Sequence, residues 1–201
     1  MKKTLLLAVV LLFAFQLKAQ EKVSEYSMSY FNDKAYNIEA TEIKNGKFRY
    51  YIDCASWESN DDVVGISLDS DITQDFRNGM NEIKDKYIEW KNTAEQNNVT
   101  NFDKNFDISL PRVNCFFRYG EYHFSFNRKP NVYFKVTSDG KCYAILSIKD
   151  LTASDNQYIK HDGLFMVFSS DKELDEFIDA IDPKYVYERS EKKTNTDDLF
   201  K

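Results

Sequence analysis

Apolar and polar positions follow three different rhythms along this chain, and each predicts a different kind of element. The first is an unbroken run. Leu5 to Phe15 is eleven apolar residues behind Met1-Lys2-Lys3, closed by Gln16-Leu17-Lys18-Ala19. A basic start, a short apolar core and a small exit residue are the parts of a secretory signal peptide. The run is shorter than the roughly 20 apolar residues a membrane-spanning helix needs. The expectation is that residues 1–19 are removed by cleavage after Ala19. A soluble periplasmic or secreted body of 182 residues would remain, with no transmembrane segment.

The second rhythm has period two and marks strands. Lys44-Asn45-Gly46-Lys47 sets an Asn-Gly pair between two strand-like runs, a strong hairpin signal. A two-residue loop there puts Ile43 opposite Phe48 and Glu42 opposite Arg49. Residues 55–62 read as a loop before a short strand, Val63 to Leu68. Further on, Val113, Cys115 and Phe117 alternate, Tyr119-Gly120 turns, and Tyr122, Phe124 and Phe126 alternate back. A two-residue loop places Phe117 opposite Tyr122 and Cys115 opposite Phe124. The next hairpin turns at Ser138-Asp139-Gly140. A two-residue Asp-Gly loop would set Val132 opposite Ser147. A three-residue loop with Gly140 left-handed sets Val136, Phe134 and Val132 against Cys142, Ala144 and Leu146, keeping one face apolar. Because a one-residue slip flips every side chain, the three-residue loop is the prediction. Together these strands predict a four-stranded antiparallel meander over 112–149, followed by a polar loop (152–162) and an apolar strand, Leu164 to Phe168.

The third rhythm is helical. Ile72, Phe76, Met80, Ile83, Tyr87, Trp90 and Ala94 recur at steps of three or four and predict one long helix. Asp71 is the candidate N-cap, with Gln74 three positions on. Ser170-Asp171-Lys172-Glu173 reads as a capping box for a second helix that buries Leu174, Phe177, Ile178 and Ile181 and stops before Pro183. The predicted fold is therefore α+β. A largely antiparallel sheet, an N-terminal hairpin plus the meander, is packed by one long central helix and one C-terminal helix in a single domain over 20–187. Residues 188–201 form a charged tail.

Charge and cysteine content narrow the function. With Lys2, Lys3 and Lys18 removed, the 27 basic residues fall to 24 against 33 acidic ones, a balance of about −9. That disfavours nucleic acid, which rewards basic patches. Cys54, Cys115 and Cys142 are too few for a disulfide scaffold and odd in number, and small buried hydrophobes are their ordinary fate. In an open meander Cys115 and Cys142 lie on its outer strands, too far apart to bond. A bridge between them would require the sheet to close into a barrel.

Candidate chemistry is sparse. There is no Gly-x-Ser-x-Gly, Cys-x-x-Cys, His-Glu-x-x-His or phosphate-loop motif. His123 alternates with the apolar positions of its strand, between Glu121 and Ser125, and reads as an exposed polar face. His161, in Lys160-His161-Asp162-Gly163, reads as a solvated turn. Asp69-Ser70-Asp71 opens like a calcium loop but has Gln74 and Met80 where Gly and Glu are needed. Glu58, Asp61 and Asp62 form an acidic loop able to hold calcium weakly, and Trp57 beside them is a sugar-stacking candidate. Paired carboxylates would suit a secreted hydrolase, but 33 acids nominate no pair. No catalytic, cofactor-binding or metal residue is assigned, and no cofactor is expected. The expectation is a non-catalytic exported binding module of a bacterial envelope or exterior, taking a protein or small ligand as its partner. The alternatives are a secreted hydrolase using carboxylates, or a secreted inhibitor or effector.

Overall fold

A computed structural model describes residues 21–44, 46–59 and 62–188. The signal segment 1–19 with its cleavage point, Asn45, Asp61 and residues 189–201 of the charged tail lie outside the described residues. The strands are β1 (Glu21–Met28), β2 (Lys34–Lys44), β3 (Lys47–Asp53), β4 (Ala55–Ser56), β5 (Val64–Asp69), β6 (Phe102–Asn105), β7 (Val113–Tyr119), β8 (Glu121–Arg128), β9 (Asn131–Val136), β10 (Cys142–Thr152) and β11 (Lys160–Phe168). The helices are α1 (Ser70–Gln96) and α2 (Asp171–Ala180).

The fold is α+β, with two antiparallel sheets rather than one. A six-stranded sheet runs β1-β2-β3-β5-β7-β8, and a five-stranded sheet runs β4-β11-β10-β9-β6. Neither closes into a barrel. The expected meander is therefore divided: β7 and β8 belong to the larger sheet, β9 and β10 to the smaller. The division falls at Asn127, whose φ is +58°, and at Pro130, which has no N–H for a ladder. Arg128 then bridges the two sheets by donating to the carbonyls of Lys149 and Asp150.

Where the pattern was self-consistent, the structure follows it. Val136, Phe134 and Val132 pair with Cys142, Ala144 and Leu146, and Gly140 takes φ +81° in a three-residue loop. In α2, Ser170 Oγ accepts the Glu173 N–H at 3.2 Å while the Glu173 carboxylate accepts from Ser169 N at 2.8 Å. Helix α1 begins earlier than expected, with Asp69 rather than Asp71 as N-cap residue. The Asp69 carboxylate does not cap it, because Arg49 holds that group at 2.5 Å. Tyr87 anchors the helix inside, its hydroxyl lying 3.1 Å from the Cys142 carbonyl and 2.9 Å from that of Ser169. Fully buried rings such as Phe76, Phe117, Phe134, Phe168 and Phe177 belong to one core shared by both sheets and both helices. Each such side chain contributes about 1.5–3 kcal/mol by leaving water.

Two hairpins depart from the expected register. In β7–β8, Phe117 pairs with His123 and Cys115 with Ser125, around Gly120 at φ +70°. That is one residue away from the expected pairing, so His123 and Ser125 face the core while Tyr122, Phe124 and Phe126 face outward. The slip is stabilised from outside the hairpin: Ser154 N donates to the Phe124 carbonyl, and Asp155 meets His123. In β2–β3, Lys44 pairs with Lys47 as a two-residue loop requires. A bulge between Glu42 and Lys44 then shifts the ladder, so that Glu42 faces Phe48 and Thr41 faces Arg49.

All three cysteines are free and buried, Cys115 in the larger sheet and Cys142 in the smaller. Burial pushes the Cys54 and Cys142 thiols upward, and that of Cys115 to about 12. Native protein is expected to react negligibly with a maleimide at pH 7. Denatured protein is expected to take up one label on each of Cys54, Cys115 and Cys142, counted by intact mass. A missing label would mean a disulfide or another modification.

Candidate functional site

The larger sheet explains why three groups of polar residues stand where they do. Its register sets Ile38, Ile52, Ile66, Cys115 and Ser125 in one row across five strands, facing the core. Val64, Phe117 and His123 form the adjacent inward row, while Asp53, Gly65, Phe116 and Phe124 form a row on the opposite, outer face.

His123 is buried, at 2 % exposure, not displayed on a polar strand face. Its Nδ1 lies 3.2 Å from both oxygens of Asp155 and donates to them. That bond holds the Asp155 carboxyl below its usual range. Nε2 is buried without a hydrogen-bond partner, so no nucleophile among the described residues meets it.

His161 is likewise buried, at 5 %, because β11 starts at Lys160 and carries it inside instead of leaving it on a solvated turn. The Phe117 ring lies between the two imidazoles, with centroids 5.8 Å from His123 and 5.3 Å from His161. Around His161 gather Ser56, Glu58 and Asp62; the donor atoms of Glu58, Asp62 and His161 fall within 4.8 Å of one another. The arrangement resembles a metal centre or a Ser-His-Asp set, but the protons are wrong for both. His161 Nδ1 accepts the Gly163 N–H at 3.0 Å, so the neutral ring carries its proton on Nε2, the nitrogen 3.4 Å from Ser56 Oγ. A base for Ser56 would need that nitrogen bare. A cation on Nε2 would turn an Nδ1–H against the Gly163 N–H, whereas ligating histidines give that proton to an acceptor. The Ser56 hydroxyl is already donated to Asp62 Oδ2 (3.0 Å), and Glu58 Oε1 accepts from Asp162 N (2.7 Å). The cluster clamps the 56–62 loop to β11. Trp57 completes the clamp, stacked 4.1 Å from Phe165 with the Lys149 ammonium 5.4 Å from its ring. Of the calcium-loop residues, Asp69 is held by Arg49 and Asp71 by Lys47 at 2.7 Å.

The outer row builds the cavity. Gly65 has no side chain between Asp53 and Phe116, and a Cβ there would stand 2.4 Å from Phe116 Cζ. The Phe116 ring thus comes up against Gly65 of β5 and reaches Tyr51, 5.8 Å away in an edge-to-face contact, and Tyr122 at 6.4 Å. Glu39, Tyr51, Asp53, Val63, Phe116, Tyr122 and Phe124 enclose a cavity of about 340 Å³, within the range of small-molecule sites. Glu39 and Asp53 share this face only because of the bulge before Lys44. The unbulged register would pair Asp53 with Ile38 and turn the two carboxylates to opposite faces. Burial and then the Glu39 charge push the Asp53 carboxyl up to about 6; hydrogen bonds from Asn37 and the charge of Lys34 pull against them.

A folded pKa above the unfolded value means stability that is fully present below about 4 and lost as pH rises through about 6. Asp53→Asn is therefore expected to raise the melting temperature slightly at pH 7.5 and to give no gain at pH 4. A substitution that destabilises at both pH values would show that the charged carboxylate is needed for the fold.

Neither Glu39 nor Asp53 was singled out from the sequence. The usable signal was their place on the polar beat of two strands whose other beat is Ile38, Ala40, Tyr50 and Ile52. No helix of the described residues is long and apolar enough to cross a membrane. Protein-family models, curated proteins and solved structures hold no match to this chain.

Proposed function

We propose that the chain is an exported, non-catalytic binding protein whose ligand seat is the cavity on the outer face of the larger sheet. The observation that carries this reading is the cavity of about 340 Å³ with aromatic walls and two carboxylates, in a protein whose buried histidines are committed to Asp155 and to the 56–62 loop. Nucleic acid is excluded from the proposal by the acidic balance. Export rests on the composition of residues 1–19, and the exported protein is expected to have a mass beginning at Gln20.

The test of binding is a small-molecule screen read by amide and aromatic shifts. Ligands that move Tyr51, Tyr122 and Phe124 while leaving the 56–62 loop unmoved support the seat. A screen in which every hit maps elsewhere refutes it.

A hydrolase reading has one observation in its favour. Asp53, raised to about 6, has the character of a general acid, with Glu39 as the second carboxylate. Turnover of any glycoside by the purified protein, lost in both Asp53→Asn and Glu39→Gln, would replace binding with catalysis.

A further inference from the structure

We infer that the outer-face cavity takes a small organic cation, an ammonium or guanidinium group on a compact apolar body. The inference rests on the binding reading and names its ligand class. Glu39 and Asp53 are near neighbours on one face, since Glu39 pairs with Tyr51, two positions from Asp53 in the same strand. Two like charges side by side repel, and an entering cation relieves that repulsion where a neutral ligand does not. The protein's own cations compensate only partly. Lys22, opposite Glu39 on β1, is held by Glu25, Arg49 is held by Asp69, and the pull of Lys34 on Asp53 is smaller than the push of burial and Glu39. The walls are Tyr51, Phe116, Tyr122 and Phe124, whose ring faces attract an organic cation.

Other ligand classes fit less well. An anion would meet two carboxylates. A hard metal ion needs six or more oxygen donors, and much of this wall is carbon. The volume suits one small molecule.

The experiment titrates the full mature protein with choline, with n-butylguanidinium, and with 3,3-dimethylbutan-1-ol, the uncharged counterpart of choline, followed by calorimetry and aromatic shifts. At least one cation is expected to bind, moving Tyr51 and Tyr122, and to bind at least tenfold more tightly than the alcohol. Glu39→Gln and Asp53→Asn, each isosteric and each checked for an unchanged fold by circular dichroism, are expected to weaken it by about tenfold. If the alcohol binds as tightly as choline, or both variants bind the cation unchanged, the ligand class is wrong while the cavity remains a binding seat. If neither cation moves a cavity residue, the inference falls. The binding reading itself falls only if the broader screen also leaves the cavity silent.

Discussion

Gly163→Ala is expected to lower the melting temperature by roughly 10 °C. Gly163 sits in β11 opposite Lys149 with φ +120°, a conformation side chains rarely adopt. A Cβ there would stand 2.1 Å from the Ile148 carbonyl oxygen and 2.8 Å from Lys149 Cα. Both are backbone atoms of the central pair of the smaller sheet and cannot swing aside. Strained backbone costs about 1–3 kcal/mol and overpacking a similar amount, so about 3–5 kcal/mol is expected in total. At roughly 2–4 °C per kcal/mol for a chain of this size, the shift is large. Gly140→Ala separates the two causes. Its φ is also positive, at +81°, but a Cβ there meets nothing within 4 Å, so its cost is expected to be about 1 kcal/mol. Equal losses at the two positions, measured by thermal melts, would show that the contact with Ile148 is not what makes Gly163 necessary. The Gly163 N–H also fixes the His161 tautomer, so the substitution is expected to loosen the 56–62 loop as well.

The second large effect is at His123. On an exposed strand face, His123→Ala would change nothing. Buried against Phe117, it opens a cavity between the sheets and removes the tie to Asp155. A loss of about 2–3 kcal/mol is expected, of the order seen for other large-to-small core changes. His123→Phe keeps a buried ring, somewhat larger than imidazole, and removes the unpartnered Nε2, which offsets the lost bond to Asp155. It is expected to melt within a few degrees of the parent. Denaturant unfolding of the two variants checks this. Equal destabilisation by Ala and Phe would mean the Asp155 bond, rather than packing, carries His123's contribution.

What could be read in advance follows from how many independent constraints each element carried. The β9–β10 hairpin had a turn, an apolar face on both strands and one loop length that matched them, and its pairing was determined. Helices α1 and α2 had long apolar stripes, and α2 a reciprocal cap as well. The β7–β8 hairpin had Tyr122, Phe124 and Phe126 on one beat of β8 and the polar Glu121, His123 and Ser125 on the other. Its local pattern favoured the wrong beat. Only the connection between β10 and β11, through Ser154 and Asp155, reversed it.

The cavity was illegible for a related reason. Its two carboxylates meet through a bulge in β2, and its wall through a glycine in β5 that lets a ring from β7 come up against the strand. Neither device has a periodic signature.

By itself, then, the chain's own pattern determined the α+β class, both helices and the one hairpin whose turn and faces agree, because those depend on neighbours close in sequence. The tertiary structure decided the split into two sheets, the burial of both histidines and the meeting of Glu39 with Asp53. The histidines' burial depends on partners far apart in the chain, such as Asp155 for His123, and the meeting of Glu39 with Asp53 on a one-residue bulge that no periodicity announces.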